Sequence, residues 1–122
     1  MKIVVTSQGP ELTSQLDPRF GRARYFLLVD TDTDQCQAHD NTENLNAAQG
    51  AGIQAAGRVA ELGAEAVITG NVGPKALSAL KAAGITVYLA PAGTVAEAVE
   101  RFKAGQLGPA DQASVPGRQA AP

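Results

Sequence analysis

Residues able to do redox, metal or acid–base chemistry are scarce in this 122-residue chain. It has one cysteine (Cys36), one histidine (His39), one methionine and no tryptophan. A single cysteine forms no internal disulfide and builds no cysteine-rich metal site, so a reducing cytoplasm is the expected compartment. Cys36 has no basic neighbour in sequence to lower its pKa, and no Ser or Cys nucleophile sits in a motif. His39, beside Asp40, reads as a structural or solvated residue. Asp30, Asp32 and Asp34 would suit a two-metal carboxylate site. They cluster at a turn, however, and the first strand carries no acid to join them. An enzyme is therefore not expected.

Other absences narrow the field further. No apolar run approaches the roughly 20 residues of a membrane helix. The opening "MKIVVTSQGP" has too short an apolar stretch for a secretory signal, so neither a membrane partner nor export is expected. Lys and Arg number ten against twelve Asp and Glu, a net charge of −2. That balance argues against nucleic acid as a partner, since such binding depends on many neutralised phosphates. Neither G-x-x-x-x-G-K-[ST] nor G-x-G-x-x-G occurs, which removes the usual argument for nucleotide binding.

What is present reads as one α/β domain. "KIVVTS" (2–7) is a short β-branched run suited to a buried strand. Residues 8–23 form a long polar loop punctuated by Gly9, Pro10, Pro18 and Gly21. "RYFLLVD" and "QCQAHD" make a hairpin across the "TDTD" turn, and a second polar loop, "NTENLNAAQG", follows. In "AGIQAAGRVAELG", Ile53, Ala56, Val59, Ala60 and Leu62 lie near helical spacing, with Gly63 as a cap. "EAVITG" is a buried strand, and "NVGPKALSALKAAG" is a helix with Pro74 at its start and Gly84 at its stop. "ITVYLA" is another strand. "GTVAEAVERFKAG" opens on a capping box, Thr94 with Glu97. This order predicts a mixed five-stranded sheet, parallel except for one antiparallel hairpin, with three helices. Residues 1–105 make the domain, and 106–122, rich in Ala, Pro and Gly, are expected to be disordered.

Ligands of open α/β sheets gather beyond the carboxyl ends of the parallel strands. Four segments meet there: "SQGPEL", "NTENLNAAQGAG", "TGNVGP" and "APAGT". Helix N-termini and glycine-rich backbone can hold an anion without basic side chains. The candidates are Ser7, Gln8 and Gly9; Asn41; Gly50, Ala51 and Gly52; and Gly70, Asn71, Val72, Gly73 and Pro74. The plain alternative is a set of ordinary strand-to-helix turns, with Asn71 or a neighbour as a cap. "DPRFGRARYF" (17–26) adds Arg19, Phe20, Gly21 and Arg22. Arg24, Tyr25 and Phe26 read as the entry to a strand, its two aromatics on opposite faces. Arg19 and Arg22 either reach an anion from the loop or pair with Asp17.

Taken together, "DPRFGRARYFLLVDTDT", "GAGIQAAGRVAELGAEAVITGNVGPKALSALKAAGITVY" and "GTVAEAVE" resemble the dinitrogenase iron–molybdenum cofactor biosynthesis family. That family holds NifX-like proteins, the NifB C-terminal domain and small stand-alone members, and the likeness covers about residues 1–105. The resemblance implies a ribonuclease-H-like fold. It also implies a non-enzymatic role: binding, carrying or protecting an anionic metal–sulfur cluster. Within that family, the cluster would be an iron–molybdenum-type precursor or, as in one stand-alone branch, a molybdenum–copper sulfide. Protein partners in cofactor assembly or regulation are implied as well. Many relatives carry a histidine just before the "GAGI" glycines. Here the position is Gln49, so a histidine-ligated iron is not expected there. A chain this poor in soft ligands would hold a cluster by hydrogen bonds, arginine charge and apolar contact. A second reading, from another class, is a small regulatory interaction module without a cluster.

Overall fold

The structure, a computed structural model, describes residues 1–42 and 50–110. Most of "NTENLNAAQG", with Gln49, and the tail beyond 110 lie outside the described residues. Five strands form one mixed sheet: β1 (Lys2–Ser7), β2 (Tyr25–Asp30), β3 (Cys36–Asp40), β4 (Ala66–Thr69) and β5 (Thr86–Leu89). Their order across the sheet is β3-β2-β1-β4-β5. β1, β4 and β5 run parallel, and β2 pairs antiparallel with both β1 and β3. Among the described residues three helices follow, α1 (Ala51–Glu61), α2 (Pro74–Ala82) and α3 (Val95–Lys103).

β1, β2 and β4 are apolar without alternation because the sheet is covered on both sides there, whereas edge strand β3 is polar and mostly exposed. One side packs Val4, Phe26, Val67 and Val87 against Ala55, Ala56 and Val59 of α1 and Leu77 and Leu80 of α2. The other packs Ile3, Val5, Leu27, Val29 and Ile68 against Val95, Ala98 and Val99 of α3. Phe26 joins the first cluster and Tyr25 the second, so the two aromatics do face opposite ways. At the hairpin turn, Lys103 of α3 pairs with Asp34, and the Met1 amine lies 3.2 Å from Asp32 Oδ2. These acids are held at the end of the sheet where the parallel strands begin.

Three expectations need correction. The 8–23 loop is not wholly polar, and it carries short pairings of its own. Leu16, Asp17, Phe20 and Ala23 are buried, and isolated bridges join Ser7 to Leu16, Gln15 to Thr94 and Arg19 to Asn71. These pairings are between residues distant in sequence, which local patterning does not reveal. The buried stripe of α1 is Ala51, Ala55, Ala56 and Val59, not the stripe through Ile53 and Ala60. Ile53 is 49% exposed. A Cβ on Gly52 would stand 3.0 Å from the Ala76 Cβ. The two helices approach so closely that small residues must face the contact, which turns Ile53 outward. Finally, the first residues of the tail expected to be disordered, 106–110, are bonded to the domain, and the rest of that tail lies outside the described residues. Gln106 N–H donates to the Arg101 carbonyl (2.9 Å), Ala110 N–H donates to the Val87 carbonyl (2.7 Å), and Pro109 bridges to Tyr88. Residues 106–110 thus lie along the outer edge of β5.

The capping box of α3 is complete. Glu97 N–H donates to Thr94 Oγ1 (3.1 Å), and Thr94 N–H donates to Glu97 Oε1 (2.9 Å). Bonds from the Thr94 N–H, and then from its hydroxyl, hold the Glu97 carboxyl below the usual carboxylate range. A folded pKa below the unfolded one adds stability above the ordinary carboxylate value and loses it as pH falls through the folded one. Glu97→Gln should therefore be less stable than the parent at neutral pH, with the gap closing in acid, in urea unfolding at a series of pH values. Gly57, in the middle of α1, has nothing within 4 Å of a built Cβ. Gly57→Ala should stabilise the fold by about 1 kcal/mol in the same measurement.

Candidate functional site

The candidate residues divide into two groups at the carboxyl ends of the parallel strands. Ser7, Gln8 and Gly9 belong to the side of α3. Ser7 Oγ donates to the Gly9 carbonyl (2.6 Å) and accepts from the Gly9 N–H (3.2 Å), a local turn. Gln8 N–H donates to Gln15 (2.9 Å), and the returning chain then meets the start of α3. Val95 N–H donates to Ser14 and Ala96 N–H to Leu12, both at 2.9 Å. The 8–16 excursion therefore helps Thr94 and Glu97 cap α3. The backbone groups of Gln8, Leu12, Ser14, Gln15 and Leu16 that make such bonds are used within the fold.

The second group is a tight meeting of three loops on the opposite side. Residues 17–22 run between the 70–73 loop and the start of α1. Asn71 N–H donates to the Pro18 carbonyl (2.7 Å), and Phe20 N–H donates to the Asn71 carbonyl (3.3 Å). A Cβ on Gly70 would stand 2.7 Å from Pro18 Cα, and one on Gly21 would stand 2.9 Å from Gly52 Cα. Gly21 and Gly70 are thus required where they meet backbone, whereas a Cβ on Gly52 would meet the Ala76 side chain. Phe20 and Val72 point into the core, where the Phe20 ring stacks on Phe26 with centroids 5.9 Å apart. Asn41 is buried, its Nδ2 donating to the Ala23 carbonyl at 2.7 Å, so this amide ties down the end of the same loop.

Beneath the loops lies a buried polar knot. Thr6 Oγ1 donates to the Asp17 carbonyl (2.6 Å) and lies 2.9 Å from Thr69 Oγ1. Asp17 N–H donates to the Thr6 carbonyl (2.9 Å). The Asp17 carboxylate, 1% exposed, pairs with Arg19, whose Nε is 3.3 Å from Oδ1. Of the two roles that the sequence offers Arg19, the pairing with Asp17 is formed here. The Arg19 side chain nevertheless stays 61% exposed at the rim.

α1 and α2 begin side by side at this rim, and their N-termini differ from that of α3. Gly50 (φ 74°) precedes α1 and Gly73 precedes α2; neither helix receives a side-chain cap among the described residues or has an acid in its first turn. Pro74 opens α2, and the N–H groups of Gly52, Ile53, Lys75 and Ala76 have no intrahelical acceptor by helix geometry. Together with the macrodipoles, these donors give the rim a positive character. Two residues there escaped the sequence reading. Exposed Lys75 adds a cation just after Pro74, and half-exposed Ile53 adds apolar surface beside Gly50–Gly52. The run of small residues at 51, 52, 55 and 56 was the available signal that Ile53 lies off the packed side.

Metal ligands are not gathered here. No group of three or more His, Cys, Asp and Glu able to hold a metal ion exists among the described residues. Cys36 pairs with Val29, at the end of the sheet away from the rim, and partial burial pushes its thiol pKa up. His39, on edge strand β3, has Nε2 3.0 Å from Gln37 Oε1. No helix among the described residues is long and apolar enough to cross a membrane.

The chain is similar to known proteins over most of its length. The model of the dinitrogenase iron–molybdenum cofactor family matches residues 1–105. The apo form of the orange protein from Desulfovibrio gigas is 45% identical, with a TM-score of 0.90 over 93% of this chain and 95% of that one. A NifB-candidate protein from Thermotoga is 36% identical, with a TM-score of 0.78 over 88% of this chain and 91% of that one. An uncharacterized protein of Methanocaldococcus jannaschii is 34% identical over 96 residues, 77% of this chain and 81% of its own length.

The glycine packing can be tested directly. Gly70→Ala and Gly21→Ala should each destabilise the fold by about 1–3 kcal/mol, because the added methyl meets backbone that cannot swing aside. Urea midpoints compared with that of Gly57→Ala would read the difference.

Proposed function

The chain belongs to the dinitrogenase iron–molybdenum cofactor family, and from that premise we propose that it binds and carries an anionic metal–sulfur cluster. The cluster is cargo, not a resident catalyst. One observation carries this reading: α1 and α2 start side by side without side-chain caps or first-turn acids, whereas α3 is fully capped. Helix N-termini so arranged suit an anion. The likeness to the orange protein and to a NifB candidate supports a cofactor-binding or carrier role.

The donor set favours a particular kind of cargo. Without a cluster of soft side chains among the described residues, the protein offers N–H groups, arginine and apolar surface. A molybdenum-containing sulfide, with or without copper, brings its own sulfur ligands and needs no protein–metal bond. Backbone amides at Gly50–Gly52 and at Gly73, with Arg19, Arg22 and Ile53 at the rim, are the groups we assign to it; the Asn71 N–H is already donated to Pro18. Ser7, Gln8 and Gly9 fall outside that assignment because they serve the start of α3. Phe20, Asn41 and Val72 act indirectly, by shaping the loops.

Mixing the metal-free protein with tetrathiomolybdate under anaerobic conditions, with and without copper(I), should leave a visible chromophore on the protein after desalting. Arg22→Ala should weaken that retention about tenfold, the scale of one charge-assisted hydrogen bond. A colourless protein fraction under every condition would sink the proposal.

A further inference from the structure

One interaction at the rim opposes simple anion capture. The buried Asp17 carboxylate accepts from the Arg19 N–H (3.0 Å) and Nε (3.3 Å) through Oδ1, and from an Arg19 terminal nitrogen (3.4 Å) through Oδ2. A carboxylate so placed stands behind an arginine side chain that is itself mostly exposed. It has no route of withdrawal, since its own backbone is bonded to Thr6 on both the N–H and the carbonyl side. Any anion arriving at the rim meets Arg19 with its charge already matched.

The turn itself does not require that charge. An Asp side-chain oxygen accepting the N–H two residues on is an Asx turn, and asparagine makes it equally well. The negative charge must be explained separately, because burying a carboxylate is costly and is offset here chiefly by the exposed arginine.

We propose that Asp17 is a specificity-determining residue of the rim: by cancelling Arg19 it keeps the local positive charge low, so the site accepts sulfide-rich dianions and rejects oxyanions of equal charge. The inference rests on the cluster-binding reading above and names its selectivity. Molybdate and sulfate concentrate charge on small oxygens and leave water only for a strong opposing charge. A thiometallate spreads the same charge over large, polarizable sulfurs, and backbone N–H groups with an apolar neighbour suffice for it. The helix starts and Ile53 supply those contacts, while Asp17 withholds the compact charge that an oxyanion needs.

The test compares two tetrahedral dianions, molybdate and tetrathiomolybdate, by anaerobic equilibrium dialysis. The unaltered chain should prefer the thioanion. Asp17→Asn keeps the turn acceptor and removes the charge. It should tighten molybdate about tenfold, the order of one nearby unit charge in a partly screened site, and change tetrathiomolybdate less. Adding Arg19→Gln to Asp17→Asn should restore the parental preference. If circular dichroism shows Asp17→Asn unfolded, Arg19→Gln alone is measured; leaving Asp17 unopposed should widen the preference for the thioanion. An unchanged ratio of the two affinities, or an equal loss of both, overturns the inference while leaving cluster binding intact. Failure of the unaltered chain to retain either anion overturns both.

Discussion

Residues 17–22 can enter the fold only because backbone meets backbone on both of their flanks. Pro18 lies against Gly70, and Gly21 lies against Gly52, at separations that admit no side chain. This constraint organises the carboxyl ends of β1 and β4. It draws the start of α1 toward α2, turns Phe20 into the core and leaves Arg19 at the rim. The buried bonds among Thr6, Asp17 and Thr69 then hold the loop from beneath. Close packing leaves little room for adjustment, so the rim is preorganised. A ligand arriving there meets groups already in position and spends little on ordering them.

The same constraint separates the helices by task. α3 has its first-turn donors satisfied by Thr94, Glu97 and the 8–16 excursion, and it serves the core. α1 and α2 start on glycine, with no acid in the first turn. In a sheet where three helices could all have been capped alike, the side facing the 17–22 loop is the one left electropositive. The helix starts without side-chain caps lie on one side of the sheet, and the fully capped helix lies on the other.

Regular elements were legible in the sequence because each has local punctuation. Gly63, Gly84 and Gly105 stop the helices in the left-handed region, Pro74 starts one, and Thr94 with Glu97 caps another. The mixed five-stranded sheet followed from alternation of apolar runs and helices. Less legible was whatever depends on pairs distant in the chain. Nothing local in "SQGPELTSQLD" shows that it will pair with residues 93–96, and nothing in "LGPA" shows that it will lie along β5. Arg19 was legible only as a choice between two partners, since its pairing with Asp17 depends on three-dimensional burial. Ile53 was misread because periodicity reports which residues are apolar, whereas helix spacing decides which of them fit. The glycines were recognised as important, but the reason is steric approach in addition to any donor role.

The segment at 106–110 bears on how copies of this protein can meet. It lies along β5, so that side of the sheet ends in the chain's own backbone, with Ala110 already bonded to Val87. The other margin, β3, has no further strand beside it among the described residues. A sheet with two open margins can add copies indefinitely into a ribbon. With Pro109 seated against Tyr88 and Ala110 bonded to Val87, the β5 margin keeps fewer free backbone groups for a neighbouring strand than the β3 margin does.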